Sequence, residues 1–207
     1  SFDVLTEPAF GLSKLDQYDA IMIGGSGAYS VLDNAPFEFF LEDVARYCRK
    51  KNIPYLGLCF GMQVAVKALG GIMIHDVENK ETGTYKMYRT PESENDAVVG
   101  NFPKEFDAAC GRQDRAERLP DGMINLAYSE KCPFHVATYP NSTYYLVQFH
   151  PELWKKEDNL KRLYYYKEKY NMDEKAVKEM ESIFRDAPES RLIITNFIQN
   201  IVLKSES

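Results

Sequence analysis

Twice in its first third the chain repeats one unit, a short apolar run that stops at glycine and gives way to helical periodicity. "YDAIMIGGSG" reads as a buried strand, Ala20 to Ile23, ending in a glycine-rich loop. "PFEFFLEDVARYCRKKN" then places Phe37, Phe40, Leu41, Val44 and Tyr47 at helical spacing. "IPYLGLC" is a second strand, and "FGMQVAVKALGG" a helix whose stop signal is the Gly70-Gly71 pair. Strands that alternate with helices pair in parallel and are covered by those helices. The unit therefore points to an α/β fold with a mainly parallel central sheet flanked by helices.

From Ile72 to about Phe149 the pattern changes. "GIMIHDV", "TGTYKMYRT", "DAVVGNF", "INLAYS", "FHVATYP" and "YYLVQFH" read as short strands between polar turns, partly antiparallel. Residues 155–187 then read as a helical hairpin. Leu160, Leu163, Tyr166 and Tyr170 keep helical spacing, as do Val177, Met180 and Phe184, and Asn171 with Glu174 resembles a capping box. Its plain role is an amphipathic pair packed on the sheet, with Tyr164 to Tyr166 inside that packing. Beside an active site it would serve as a lid or docking surface. "LIITNFIQNIVL" closes the chain as a helix. No Gly, Pro or Ser-rich linker divides residues 1–207, so one domain is expected.

Composition narrows the function. At 44% hydrophobic the 207 residues can build a real core, and a net charge of -6 argues against nucleic-acid binding, which needs a basic face. No stretch approaches the ~20 apolar residues of a membrane span, and "SFDVLTEPAF" has no signal-peptide pattern. Cys48, Cys59, Cys110 and Cys132 are scattered without a C-x-x-C pair, so neither a disulfide framework nor a metal site is expected, and a cytoplasmic location follows. Cys48, Cys110 and Cys132 have no activating partner in the sequence and are taken as structural. His75 and His135 are given no role, His135 being read as a satisfied, partly buried strand residue.

Cys59 differs because it sits in "GLCFG", between a strand and a helix. Glycines flank a nucleophile where the turn is too tight for side chains, and the following helix N-terminus favours thiolate. The N–H of Phe60 then faces a developing oxyanion. Alone, the motif equally describes a small core thiol. "LVQFHPE" supplies partners: His150 ends a strand, and Glu152 two residues on shares its side if the segment is extended. "IGGSGAYSV" adds a glycine loop able to turn N–H groups toward negative charge, though a tight turn reads the same way.

Together these stretches resemble the class I (triad-type) glutamine amidotransferases, whose pattern is S-G-G-P-x-S, then G-x-C-x-G-x-Q, then Q-F-H-P-E. The three stand here in that order at Gly24 to Ser30, Gly57 to Gln63 and Gln148 to Glu152. The similarity runs from about Val4 to Glu152 and resumes at "ITNFI". Within the family the chain is similar to the amidotransferase part of GMP synthetase. The resemblance implies a flavodoxin-like fold with Cys59 as nucleophile, His150 as general base and acid, and Glu152 orienting it. Gln63 matches a glutamine that contacts substrate, and Gly25 or Gly27 with Phe60 would supply backbone donors. Gln113 and Asp114 fall in the segment that commonly lines the glutamine pocket. The implied reaction forms a γ-glutamyl thioester from L-glutamine and releases ammonia, then glutamate, without a cofactor.

Four departures stand out. Ser26 replaces the loop proline, which puts the oxyanion donors in question. Arg112 replaces the histidine of an S-H-x-D segment, so it either alters substrate choice or is a surface arginine. The chain starts late relative to the family, as a partial chain or a sheet without an edge strand would. The hairpin is additional to the family's minimal pattern. No Walker-type phosphate loop is visible, so the ammonia acceptor is expected on a synthetase partner. Two alternatives remain: a free-standing hydrolase of γ-glutamyl peptides or amides, and a catalytically degenerate binding or regulatory protein.

Overall fold

The computed structural model describes residues 11–204, and the N-terminal segment "SFDVLTEPAF" lies outside them. β1 (Ile21–Ile23) crosses through α1 (Pro36–Lys51) to β2 (Tyr55–Leu58), which runs into α2 (Phe60–Ala68). Pro36 opens α1, where its missing N–H costs nothing, and Asn52 ends it in the left-handed region. Leu41, Val44, Ala45 and Cys48 form its buried face, with Phe37, Phe40 and Tyr47 packed at the margin. Gly70, at φ +88°, stops the chain just past α2.

There follow β3 (Ile72–His75), β4 (Glu81–Arg89), β5 (Glu105–Arg112), β6 (Asp114–Arg118), β7 (Ile124–Tyr128), β8 (Val136–Thr138) and β9 (Tyr144–Val147). Seven strands form one mixed sheet in the order β1-β2-β9-β8-β7-β4-β5, and β3 with β6 makes a small antiparallel pair. β1, β2 and β9 are parallel neighbours, joined by long crossovers. β8 and β9 are joined by a short turn through Asn141 at φ +55°, which can only reverse the chain, so the sheet continues antiparallel from there.

β2 and β9 are buried on both faces, which is why they read as continuous apolar runs. Tyr55, Tyr144 and Leu146 point into the layer beneath α1 and α2, while Leu56, Leu58, Tyr145 and Val147 point to the opposite layer. That opposite layer is closed by the C-terminal helix, α5 (Leu192–Phe197), continued by a π-turn over Ile198–Val202. Tyr55 and Tyr144 are register partners and stack with ring centroids 4.4 Å apart.

Two expectations are corrected here. "DAVVGNF" is a turn, because the Asp96 carboxylate accepts from the N–H groups of Val98 and Val99 and competes with any ladder. The strands of that region are "EFDAACGR" and "DRAER", which sequence reading missed because charges interrupt them. The hairpin does form, as α3 (Lys156–Tyr170) and α4 (Glu174–Ile183), but its cap is displaced. Asp173 accepts from Lys175 and Ala176 at the start of α4, whereas Asn171 ends α3 at φ +47°. Among the described residues no helix is long and apolar enough to cross a membrane.

Candidate active site

β1, β2 and β9 end at one edge of the sheet, with Ile23 level with Gly57 and Gly57 level with Leu146. The glycine loop, Cys59 and His150 follow those three strand ends directly. Parallel pairing of adjacent strands is therefore what gathers motifs far apart in sequence, at the carboxyl edge where α/β sheets bind ligands.

Cys59 adopts φ +49°, ψ -104°, a backbone conformation rare for any residue with a side chain. Its N–H donates to Val147 O at 2.7 Å, pinning the turn to β9. Both flanking glycines are sterically required. A Cβ on Gly57 would lie 2.7 Å from Gly61 O, and one on Gly61 would lie 2.2 Å from Ile23 O. The sulfur thus stands at the N-terminus of α2, where unpaired N–H groups favour negative charge.

His150 is almost wholly buried, and its Nδ1 meets Glu152 Oε1 at 2.6 Å. The reason differs from the expected one. Glu152 belongs to a 3-10 turn, Pro151–Leu153, closed by Leu153 N–H donating to His150 O, and this turn folds the carboxylate back onto the ring. Nε2 has no hydrogen-bond partner of ordinary geometry among the described residues, yet Cys59 raises the imidazole through both charge and hydrogen bonding. Burial opposes charge on both groups, but their mutual attraction outweighs it. The Cys59 thiol is lowered and the His150 imidazole is raised to about 9. Glu152, also opposed by burial, is held low by His150.

A cavity of about 390 Å³ opens here, lined by Cys59, His150, the loop from Ser26 to Ser30, and Gln63, Gln113 and Asp114. Gly25 and Phe60 do not line it. Gly25 packs where a Cβ would be 2.7 Å from His150 Cε1, and Phe60 is buried near Phe37. Gln63 gives its amide to Asp114 O at 3.1 Å and to Gln148 Oε1 at 3.4 Å. The carboxylate of Asp114 accepts from Ser30 Oγ at 2.5 Å and meets His75 Nδ1 at 2.6 Å. Ser26 does the work of a turn residue: its hydroxyl accepts from the N–H groups of Ala28 and Tyr29.

Sequence reading passed over several groups. Gln148 is fully buried with its amide nitrogen 3.7 Å from Cys59 Sγ; a polar residue two before His150, directly after an apolar strand, was the available signal. His75 touches Asp114 and lines the cavity. Arg112 is not a surface arginine. Its guanidinium is buried and bonds Glu81 through Nε at 2.9 Å and Nη2 at 2.8 Å. Cys132 does have an activating partner: burial raises its thiol, but His135 beside it prevails and lowers it. His135 is fully, not partly, buried and bonds Glu81 at 3.0 Å and Ser129 at 3.2 Å. Burial pushes Cys48 up to about 12 and Cys110 well up.

Glu81, Cys110 and His135 come within metal-holding distance of one another, 4.8 Å. The carboxylate is already taken by Arg112, His135 and Ser129, so the donor set reads as a closed ion-pair network.

The hairpin is both a packed pair and a wall of the cavity. Leu163, Val177 and Phe184 form its own small core, while Asn159, Arg162, Leu163, Tyr166 and Phe184 line the cavity. Tyr164 and Tyr165 face outward and only Tyr166 turns to the site.

Compared with known families, residues 5–165 match the one described as glutamine amidotransferase class-I. The chain is 35% identical over 134 residues to a glutamine-hydrolyzing GMP synthase of Thermosipho melanesiensis, covering 65% of this chain and 24% of that protein. It is 26% identical over 150 residues to a glutamine-hydrolyzing GMP synthase subunit of Archaeoglobus fulgidus, covering 72% and 75%. The chain spans about a quarter of the length of the first of these curated relatives. A glutamine amidotransferase structure from Thermotoga maritima superposes with a TM-score of 0.69 at 24% identity, covering 91% of this chain and 80% of that one. One from Methylobacillus flagellatus gives 0.63 at 17% identity, covering 92% and 76%. At such identities the likeness is one of fold.

Proposed function

This chain belongs to the glutamine amidotransferase class-I family, and on that premise we propose that it hydrolyses the side-chain amide of L-glutamine at Cys59 and delivers the ammonia to an acceptor held by a synthetase partner. The observation that carries the proposal is the pairing at the cavity. A thiol on a strained turn, lowered by an adjacent imidazole, stands beside a histidine whose far nitrogen is held by a carboxylate at 2.6 Å.

In this reading the Cys59 thiolate attacks the amide carbon of glutamine. The carbonyl oxygen gains charge and is met by the loop N–H at Gly27, the one of the three expected donor residues that lines the cavity. The His150 imidazolium gives its Nε2 proton to the amide nitrogen, the C–N bond breaks, and ammonia leaves a γ-glutamyl thioester. Neutral His150 then takes a proton from water as that water attacks the thioester. The C–S bond breaks, glutamate departs, and the thiolate–imidazolium pair is restored. Glu152 keeps the imidazole in the orientation both steps need. The partner follows from the relative in Archaeoglobus fulgidus, which is named as one subunit of its synthase.

The test is glutamate release from L-glutamine by the purified chain, with Cys59→Ala as control and γ-glutamyl amides alongside. Release that vanishes in the variant supports the proposal. Turnover confined to γ-glutamyl amides would replace glutamine by a γ-glutamyl compound, and unchanged release from Cys59→Ala would remove Cys59 from the chemistry.

A further inference from the structure

A free glutamyl substrate carries an α-ammonium and an α-carboxylate besides the amide that reacts. A site that accepts it must answer both charges in a region largely withdrawn from water, since a buried unpaired charge is costly. The cavity wall offers an acid on one side. Asp114 already receives Ser30 Oγ and His75, and retains capacity for an ammonium.

The cations are fewer. Arg112 also lines the cavity, but its Nε and Nη2 are given to buried Glu81 and only Nη1 is left without a partner among the described residues. His75 meets Asp114, and His150 meets Glu152. Arg162 is different: it lines the cavity from α3, and among the described residues no carboxylate lies within 4.0 Å of it. Its guanidinium sits over the Tyr166 ring, 5.4 Å from the centroid, which steers the group while leaving its edge donors available. Its charge reaches Cys59 and Glu152 from there.

α3 holds this arginine in a fixed place. Asn159, Arg162, Leu163 and Tyr166 share one helical face, and that face is turned to the cavity. Asn159 bonds Leu153 O at 2.5 Å and Lys155 O at 3.0 Å, and Leu163 is locked into the hairpin core. The far end is anchored too. Arg185 grips Asp107 through two bonds of 2.8 Å and exchanges bonds with Thr84 on β4. At the other wall, a Cβ on Gly27 would fall 2.0 Å from the Tyr166 hydroxyl, so the hairpin abuts the glycine loop itself.

We infer that Arg162 is the carboxylate receptor of this site, pairing with the α-carboxylate of the glutamyl substrate while Asp114 faces its α-ammonium. The inference deepens the reading of Cys59 as a glutaminase nucleophile and rests on it. It assigns the hairpin a part in substrate selection: the elements around Cys59 supply the chemistry, and α3 supplies the demand for a free α-carboxylate.

The experiment compares L-glutamine with 4-aminobutanamide, which lacks the α-carboxylate, in the wild type, Arg162→Gln and Arg162→Lys. Losing a charge-assisted contact should lower kcat/KM for glutamine by about 10- to 100-fold, mostly through KM, leave 4-aminobutanamide within about twofold, and be partly restored by lysine. An equal loss on both substrates, or an unchanged KM for glutamine, would overturn it. Calorimetric titration of L-glutamate into Cys59→Ala, with and without Arg162→Gln, decides the matter independently of turnover. Binding weakened at least about tenfold by the arginine change supports the inference even if no glutaminase activity exists. Equal binding, or none to either protein, overturns it.

Discussion

Among the described residues, cysteine, histidine and glutamate meet in two places. Cys59 and His150 line a cavity, with Glu152 on the far nitrogen of His150; Cys132, His135 and Glu81 are buried and do not line it. The electrostatics are alike. In each set burial opposes charge and the partners overcome it: the thiol is lowered, the imidazole is raised to about 9, and the carboxylate is lowered, to about 2 for Glu81. The surroundings are not. Cys59 sits on a strained turn at a helix N-terminus and lines the cavity, whereas Cys132 has no positive φ, does not line that cavity, and neighbours a histidine whose carboxylate is shared with the buried Arg112. A lowered thiol is therefore not yet a nucleophile. Access, and a backbone that presents the sulfur, separate a reactive set from one that holds β4, β5 and the turn before β8 together.

The largest expected contrast is catalytic. Cys59→Ala should cut glutamate release by about 10⁴-fold or more, while Cys132→Ala keeps it within about threefold; comparable losses in both would erase the distinction drawn between the two sets. Next comes stability. Glu81→Ala strips the partner from a wholly buried arginine and should cost about 3–5 kcal/mol in denaturant unfolding, against less than about 1 kcal/mol for Glu152→Ala at its half-exposed position. A reversed order would mean that the sealed network is not structural.

Thiol reactivity offers a gentler probe. Iodoacetamide at neutral pH should alkylate Cys59 at least about tenfold faster than Cys48, Cys110 or Cys132, as peptide mapping would show. Early labelling of Cys132 would contradict its burial.

The smallest effects are in pH dependence. Because His150 is raised to about 9, kcat/KM should fall above about pH 9 as the imidazolium is lost, and the lowered Cys59 thiol should bring the rising limb below the ordinary thiol range. A rate that instead climbs through pH 9 would indicate an unperturbed thiol. Stability should follow the sealed set from both sides. Glu81, held below its ordinary 4.5, contributes above that pH and loses its contribution as pH falls toward 2; His135, raised from 6.5, contributes fully below 6.5 and loses it as pH rises through about 9. Flat unfolding midpoints across both limbs would argue against a charged network.

Much of this was legible in the residue string. Strand–glycine–helix units announce a helix-flanked sheet because glycine stops, apolar runs and helical spacing are local properties, written within a dozen residues. Of the glycines flanking Cys59, Gly57 was legible for the same reason, since its steric demand comes from the turn itself, whereas that of Gly61 comes from Ile23 on β1. The strands "EFDAACGR" and "DRAER" were not, because what buries their alternate residues is supplied by other segments.

What the sequence determined by itself was the set of elements, the tight turn at Cys59 and the resemblance that placed His150 and Glu152 beside it. Tertiary structure alone decided which chemically similar groups would differ in role. Arg112 was paired by Glu81, thirty-one positions away, and Cys132 was matched to His135 but shut off from solvent. Arg162 was carried over the cavity by a helix whose sequence shows only amphipathic spacing. Access, burial and the nearest opposite charge are set by distances between segments remote along the chain, and no local pattern encodes them.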